Sequence, residues 1–137
     1  MTGYARVGPV PGVDRAVEKL LRDLRVGLYS IVVLDLLARR GPLHGYAVRR
    51  YLEEAAPGLA PSESTVYDVL KRLEKLGLLE SYWARSPAGT MRKYYRARPG
   101  AEEALRRLVK ELRALIGGVV CSAEEGRGSE TLPSPRD

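Results

Sequence analysis

At Gly77 the apolar residues of this chain change their spacing. Upstream, Val66, Val69, Leu70, Leu73 and Leu76 recur at i, i+3, i+4, i+7 and i+10, which places them on one helical face and predicts their burial. Downstream the period becomes 2, with Leu79, Ser81 and Trp83 on one side and Leu78, Glu80 and Tyr82 on the other, as in an extended strand. Passing from helix to strand within so few residues needs a sharp stop, and Gly77 suits the left-handed position just past the last helical turn. The helix also has a marked start. Pro61 and Ser62 precede it, and Ser62 is a good N-cap. Its outward face carries Ser64, Asp68, Lys71 and Lys75, with Tyr67 and Arg72 on the flanks.

The strand has a returning partner. Arg85-Ser-Pro-Ala-Gly-Thr90 is turn chemistry, and Met91 to Ala97 resumes an extended pattern with a basic arm, so a β-hairpin is expected. Pro99-Gly100 then opens a long helix to about Ile116 whose stripe, Ala101, Ala104, Leu105, Leu108, Val109, Leu112, Leu115 and Ile116, approaches coiled-coil spacing. Gly117-Gly118 is expected to end it. Residues 118–137, rich in Gly, Ser, Pro and charge, read as a disordered tail.

Upstream, residues 1–12 are rich in Gly and Pro and read as a flexible arm. A helix follows from Val13, with Asp14 able to cap it and Ala16, Val17, Leu20, Leu21 and Leu24 on one face. Gly27 is expected to interrupt it. The next segment, Leu28 to Arg40, contains Ile31-Val32-Val33, which alone would suit a strand. Its length, the Leu and Ala of its second half and the Gly41-Pro42 stop favour helix. It is apolar on nearly all sides, which predicts two buried faces, one on the core and one on a partner subunit. Leu43-His44-Gly45-Tyr46 reads as a connector. A helix over about Gly45 to Ala55 follows, with Ala47, Val48, Tyr51 and Leu52 inward.

The 137 residues fit one domain with a real core. The formal net charge of +6 favours a polyanionic partner, nucleic acid or an anionic membrane surface, although a soluble protein with excess Lys and Arg has the same balance. The single cysteine, Cys121, allows no internal disulfide and fits a cytoplasmic protein. No apolar run is long enough to span a bilayer, and no signal segment is evident. One histidine, His44, supplies neither a metal site nor a catalytic set. No phosphate-binding glycine loop is present, so no cofactor and no enzymatic activity are expected.

Helices closed by a β-hairpin give an α+β, mostly α class with the layout of a winged helix-turn-helix: a DNA-binding domain over residues 13–98, with an extra N-terminal helix and a two-stranded wing, and a long C-terminal dimerisation helix over 99–117. In that layout the third helix enters the major groove and the wing lies along the backbone or minor groove. Lys71, Arg72 and Lys75 of the helix, Arg85, Arg92, Lys93 and Arg96 of the wing, and Arg49 and Arg50 would largely share one surface. Double-stranded DNA is the partner this surface suits. A winged-helix module binding an acidic protein is the alternative.

Gly41-Pro-Leu-His-Gly-Tyr46, Ser64-Thr-Val-Tyr67, Lys71-Arg-Leu-Glu74, Leu76-Gly-Leu-Leu-Glu80 and Arg92-Lys-Tyr-Tyr95 together resemble the signature of the PadR family of transcriptional regulators, across about Leu28 to Leu112. The resemblance implies a homodimeric winged-helix repressor. It implies dimerisation through the N- and C-terminal helices, and in many members relief by a small aromatic or drug-like effector at the dimer interface. Asp68 stands where the family usually has proline.

The candidate DNA-binding residues are Ser64, Thr65, Tyr67, Lys71, Arg72, Arg92 and Lys93, with His44 and Tyr46 as further phosphate contacts. Ser64 and Thr65 could instead serve only as caps, and Tyr67 only in packing; Tyr67 also matches the family tyrosine. His44 reads first as a cap or hydrogen-bonding group before the second helix. Leu28, Ile31, Val32, Leu105, Leu108, Leu112 and Leu115 are the expected dimer interface, with Leu108 and Leu112 read as dimer core rather than ligand pocket. Trp83 reads as packing at the root of the wing.

Overall fold

A computed structural model describes residues 12–126, and its chain divides into two compact units after Ala101. The first holds helix α1 (Val13–Arg40), strand β1 (Leu43–His44), helix α2 (Gly45–Ala55), a 3-10 turn (Pro57–Leu59), helix α3 (Glu63–Lys75) and strands β2 (Leu79–Arg85) and β3 (Met91–Ala97). Helix α4 runs Ala101–Gly126, and from Glu102 onward it makes up the described part of the second unit. The expectations for residues 1–11 and 127–137 lie outside the described residues.

Helix α3 has the expected ends. The Ser62 side chain accepts from the Thr65 N–H. At the other end Gly77 has φ 82°; its N–H donates to the Glu74 carbonyl and that of Leu78 to Leu73. These two bonds form a Schellman stop, satisfying carbonyls that the last turn leaves open. Leu76 departs from the expected burial and is 68% exposed. It is the C-cap residue, where the chain already turns away from the core.

Gly27 does not interrupt its helix; α1 is continuous over 28 residues. A single helical glycine costs about 1 kcal/mol relative to alanine, and no proline follows Gly27 to enforce a stop. At Gly41 the helix does end, with φ 79° and an N–H to the Leu37 carbonyl, and there Pro42 follows. Asp14 is not the N-cap: Gly12 occupies that position and Asp14 lies in the first turn. Likewise α4 passes through Gly117-Gly118 to Gly126, so residues 118–126 are helical rather than part of a disordered tail.

The sheet also has a strand beyond the expected hairpin. Leu43 and His44 pair antiparallel with Tyr95 and Tyr94, giving the order β1-β3-β2. The hairpin register runs from Leu79 opposite Ala97 to Arg85 opposite Met91. Two residues carry too little period to be read as a strand, yet this short strand ties the start of α2 to the wing.

Val33, Leu34 and Leu37 of α1, Val48 and Leu52 of α2, Val66, Val69, Leu70 and Leu73 of α3, and Leu79 and Tyr95 of the sheet form the core. Ser81 Oγ donates to Glu74 Oε2 at 2.6 Å and links β2 to α3. Apolar residues also remain in water: Val17, Leu20, Leu21 and Leu24 on α1, and Leu108, Leu115, Ile116 and Val119 on α4. Leu28, Ile31 and Val32, and in α4 Leu105 and Leu112, are half-buried.

Candidate nucleic-acid interface

The site begins at the junction of β1 and α2. His44 is the N-cap of α2, its Nδ1 accepting from the Ala47 N–H at 3.2 Å. That bond places the neutral ring's proton on Nε2. The ring meets Tyr94 edge-on, with centroids 5.3 Å apart. Burial and, secondarily, the Arg92 charge hold the imidazole below its ordinary value. The unfolded chain therefore binds the proton more readily. The stabilisation is fully present above the ordinary value of about 6.5 and is lost as pH falls through that value toward the lower folded one. Protonation also removes the lone pair that caps α2. The His44→Ala variant is expected to lose about 1 kcal/mol at pH 7 and to show a flatter dependence of its urea midpoint on pH between about 7 and 5. An unchanged pH slope would count against the capping role.

Gly45 is buried beneath α3. A Cβ there would stand 2.7 Å from Tyr67 Cε1 and 2.9 Å from Cζ, so any side chain at 45 displaces the Tyr67 ring. The ring is partly exposed and free to move outward. Gly45→Ala is thus expected to cost about 1 kcal/mol or slightly more in stability, while reducing duplex affinity more than that loss explains. Paired urea melts and mobility-shift titrations check this; equal binding by Gly45→Ala would show that Tyr67 placement is immaterial.

At the start of α3, Ser62 Oγ lies 2.9 Å from Thr65 Oγ1 and 3.3 Å from Ser64 Oγ. Thr65 is half-buried in this capping cluster, whereas Ser64 is exposed. One and two turns further on, Tyr67 and Lys71 border a groove of about 320 Å³ whose far wall is the wing, with Trp83, Met91, Arg92 and Lys93. His44, Gly45 and Tyr95 form its floor.

Of the nine cations grouped by the sequence, Lys75 neither forms an ion pair among the described residues nor lines the groove, and the other eight separate into two sets. Arg49 and Arg50 pair with Glu53 and Glu54, and Arg96 with Glu80. Arg85 donates to the Gly89 carbonyl and closes the wing turn. Arg72 donates to Ser30 Oγ of α1 at 2.8 Å and does not line the groove. Lys71, Arg92 and Lys93 do line it, and none of them forms an ion pair among the described residues. The groove lining has three cations and no carboxylate. Arg92 sits over the exposed Tyr46 ring, 5.6 Å from its centroid, so Tyr46 flanks the same cation.

Trp83 differs from its expected packing role and is 65% exposed. It shares a sheet face with buried Leu79, but two residue pairs further toward the turn that face has left the core behind. Gly45 and Met91 were not among the sequence candidates. Gly45 is distinguished only by a contact with Tyr67, which is remote in sequence; Met91 lacks any polar signal. Among the described residues no group of three or more His, Cys, Asp or Glu could hold a metal ion, and no helix is long and apolar enough to cross a membrane.

Three helices closed by a wing, with an exposed cationic groove between the third helix and that wing, define a winged helix-turn-helix protein. The transcriptional regulator PadR-like family matches residues 33–107. A PadR-family transcriptional regulator from Eggerthella lenta is 32% identical, with a TM-score of 0.72 over 82% of this chain and 96% of that one. A PadR-like transcription factor from Bacteroides fragilis is 29% identical, with a TM-score of 0.59 over 74% and 95%. A transcriptional regulator from Clostridium thermocellum is 28% identical, with a TM-score of 0.62 over 73% and 93%. No curated protein matches the sequence. The chain belongs to the PadR-like family of transcriptional regulators.

Proposed function

We propose that the protein is a cytoplasmic homodimeric repressor that binds a pseudo-palindromic site on double-stranded DNA. The carboxylate-free groove between α3 and the wing carries this reading. Lys71, Arg92 and Lys93 present uncompensated charge there, beside the exposed face of α3 on which Ser64 and Tyr67 stand. Helix α3 would enter the major groove, with Ser64 and Tyr67 at its leading end and the wing cations on phosphates. Thr65 and His44 act chiefly through the caps they help to form. Arg72, held on Ser30, joins the interface only by leaving that hydroxyl.

Dimerisation is supported by apolar surface that one copy leaves in water. On α1 it includes Leu20 and Leu24, and on α4 Leu108, Leu115 and Val119. Leu28, Ile31, Val32, Leu105 and Leu112 are half-exposed and would be completed by the second copy. A small aromatic or drug-like effector bound between protomers would release DNA by altering the spacing of the two α3 helices.

Selection of bound duplexes from a random-sequence pool tests this reading. The expected result is enrichment of an inverted repeat with half-site centres about one helical turn, roughly 10 base pairs, apart. Failure to enrich any sequence would favour a protein-interaction module instead.

A further inference from the structure

We propose that Trp83 and Met91 form an apolar wedge on the wing that presses into the minor groove beside the half-site read by α3. The inference rests on the DNA-binding function proposed above and adds a contact that charge alone does not supply.

Trp83 and Met91 project from the same face of the hairpin. Trp83 stands opposite Lys93, and Met91 stands opposite Arg85, the next position on that face. Trp83 is 65% exposed and Met91 50%. Among the described residues no aromatic ring stacks on the indole and no cation lies over it; Lys93 Nζ instead lies over Tyr95, 5.7 Å from the ring centroid. The largest apolar side chain of the sequence is thus left in water beside a second apolar side chain. Folding of this chain recovers little of the transfer free energy that burying an indole would release.

The surroundings select the occupant. Trp83 and Met91 line the groove with Lys71 of α3 and with Arg92 and Lys93 of the wing, and no carboxylate lines it. An acidic polymer with apolar surface between its charges fits such a rim. The minor groove of duplex DNA has that character: deoxyribose edges and base rims lie between two rows of phosphates. With α3 in the major groove, the wing face bearing Trp83 is carried toward the neighbouring minor groove. Apolar side chains inserted there loosen base stacking and bend the duplex. Lys93, on the same face as Trp83, would hold a flanking phosphate while the indole covers the sugar edge.

The sequence contains one tryptophan, so indole emission reports the surroundings of Trp83 alone. Titration of the unaltered protein with the selected duplex is expected to quench and shift that emission, saturating at the same stoichiometry as a mobility shift. Trp83→Ala is expected to weaken binding by about tenfold, with Trp83→Phe restoring much of the loss. The slope of log affinity against log salt should stay unchanged in both, because an apolar contact releases no counterions. Unchanged emission on a duplex that the mobility shift shows to be bound overturns the wedge and leaves DNA binding standing. Equal affinity of Trp83→Ala does the same. Absence of a mobility shift with the unaltered protein overturns both. The emission titration requires no substitution, so it stands whether or not a variant folds.

Discussion

Reversing the two wing cations, with Arg92→Glu and Lys93→Glu in one variant, is expected to lower duplex affinity by more than about a hundredfold at moderate salt. Neither side chain forms an ion pair in the free protein among the described residues, so little native ion pairing is lost. The substitution would turn two proposed phosphate contacts per protomer from attractive to repulsive. It would also leave Lys71 facing a carboxylate at position 93 across the groove, where it would be partly neutralised. The salt dependence should weaken with the affinity, by about one unit of slope per lost contact. Anisotropy titrations at several salt concentrations measure both quantities, and circular dichroism should retain the helical signal. Retention of affinity and slope would remove the wing from the interface. Arg96→Glu is the control: Arg96 is already bound to Glu80 at 2.6 Å outside the groove, and its reversal should change duplex affinity far less.

Leu70→Ala has the largest expected effect on stability. Leu70 is fully buried on the inward face of α3, the helix that packs against α1, α2 and β2. Truncation there removes apolar contacts and leaves a cavity, at a cost of about 2–5 kcal/mol. Against a total of about 5–15 kcal/mol for an ordinary domain, that is a large fraction. The urea midpoint should fall steeply with little change in the denaturant slope. Leu76→Ala, on the same sequence stripe, is expected to stay within about 0.5 kcal/mol of the unaltered protein, because Leu76 lies outside the core. Similar losses in both variants would contradict the helix end at Gly77.

The contrast between Leu70 and Leu76 marks where the sequence was informative. Periodicity identified α2, α3 and the hairpin because each has an inward face with a regular repeat and, for α3, a capping residue at the start and glycine at the stop, although Tyr51, expected inward on α2, is exposed. It misjudged positions at which local and tertiary terms compete. Gly27 carries a real helix penalty, but hydrogen bonding continues across it and no proline blocks the next turn. Gly117-Gly118 behaves in the same way in α4. Leu76 follows the stripe but not the burial, since the stripe continues one residue past the helix.

The candidate groove was legible in kind and less so in detail. Lys71, Arg92 and Lys93 stand in the groove, whereas Arg72 rests on Ser30, 42 positions earlier in the chain. No local pattern can foresee such a partner. Arg50 and Arg96 were also counted with the basic surface, but each has a carboxylate neighbour set by helical spacing or cross-strand register. Conversely, the strand period correctly put Trp83 on the Leu79 side of β2, yet period alone does not tell how far the core extends beneath a strand. At Trp83 the strand faces the open groove beside α3 rather than the core, and the indole stays exposed.

Salt dependence of binding to the selected inverted-repeat duplex is the most direct measurement of how this surface works. In the proposed dimer, three groove cations from each of two protomers would make six phosphate contacts, which predicts a slope of log affinity against log salt of about −5 for B-DNA. The Arg92→Glu, Lys93→Glu variant should fall to about −2 or lose measurable binding. A slope near zero for the unaltered protein, or one that the double reversal leaves untouched, would contradict DNA recognition through the α3–wing groove.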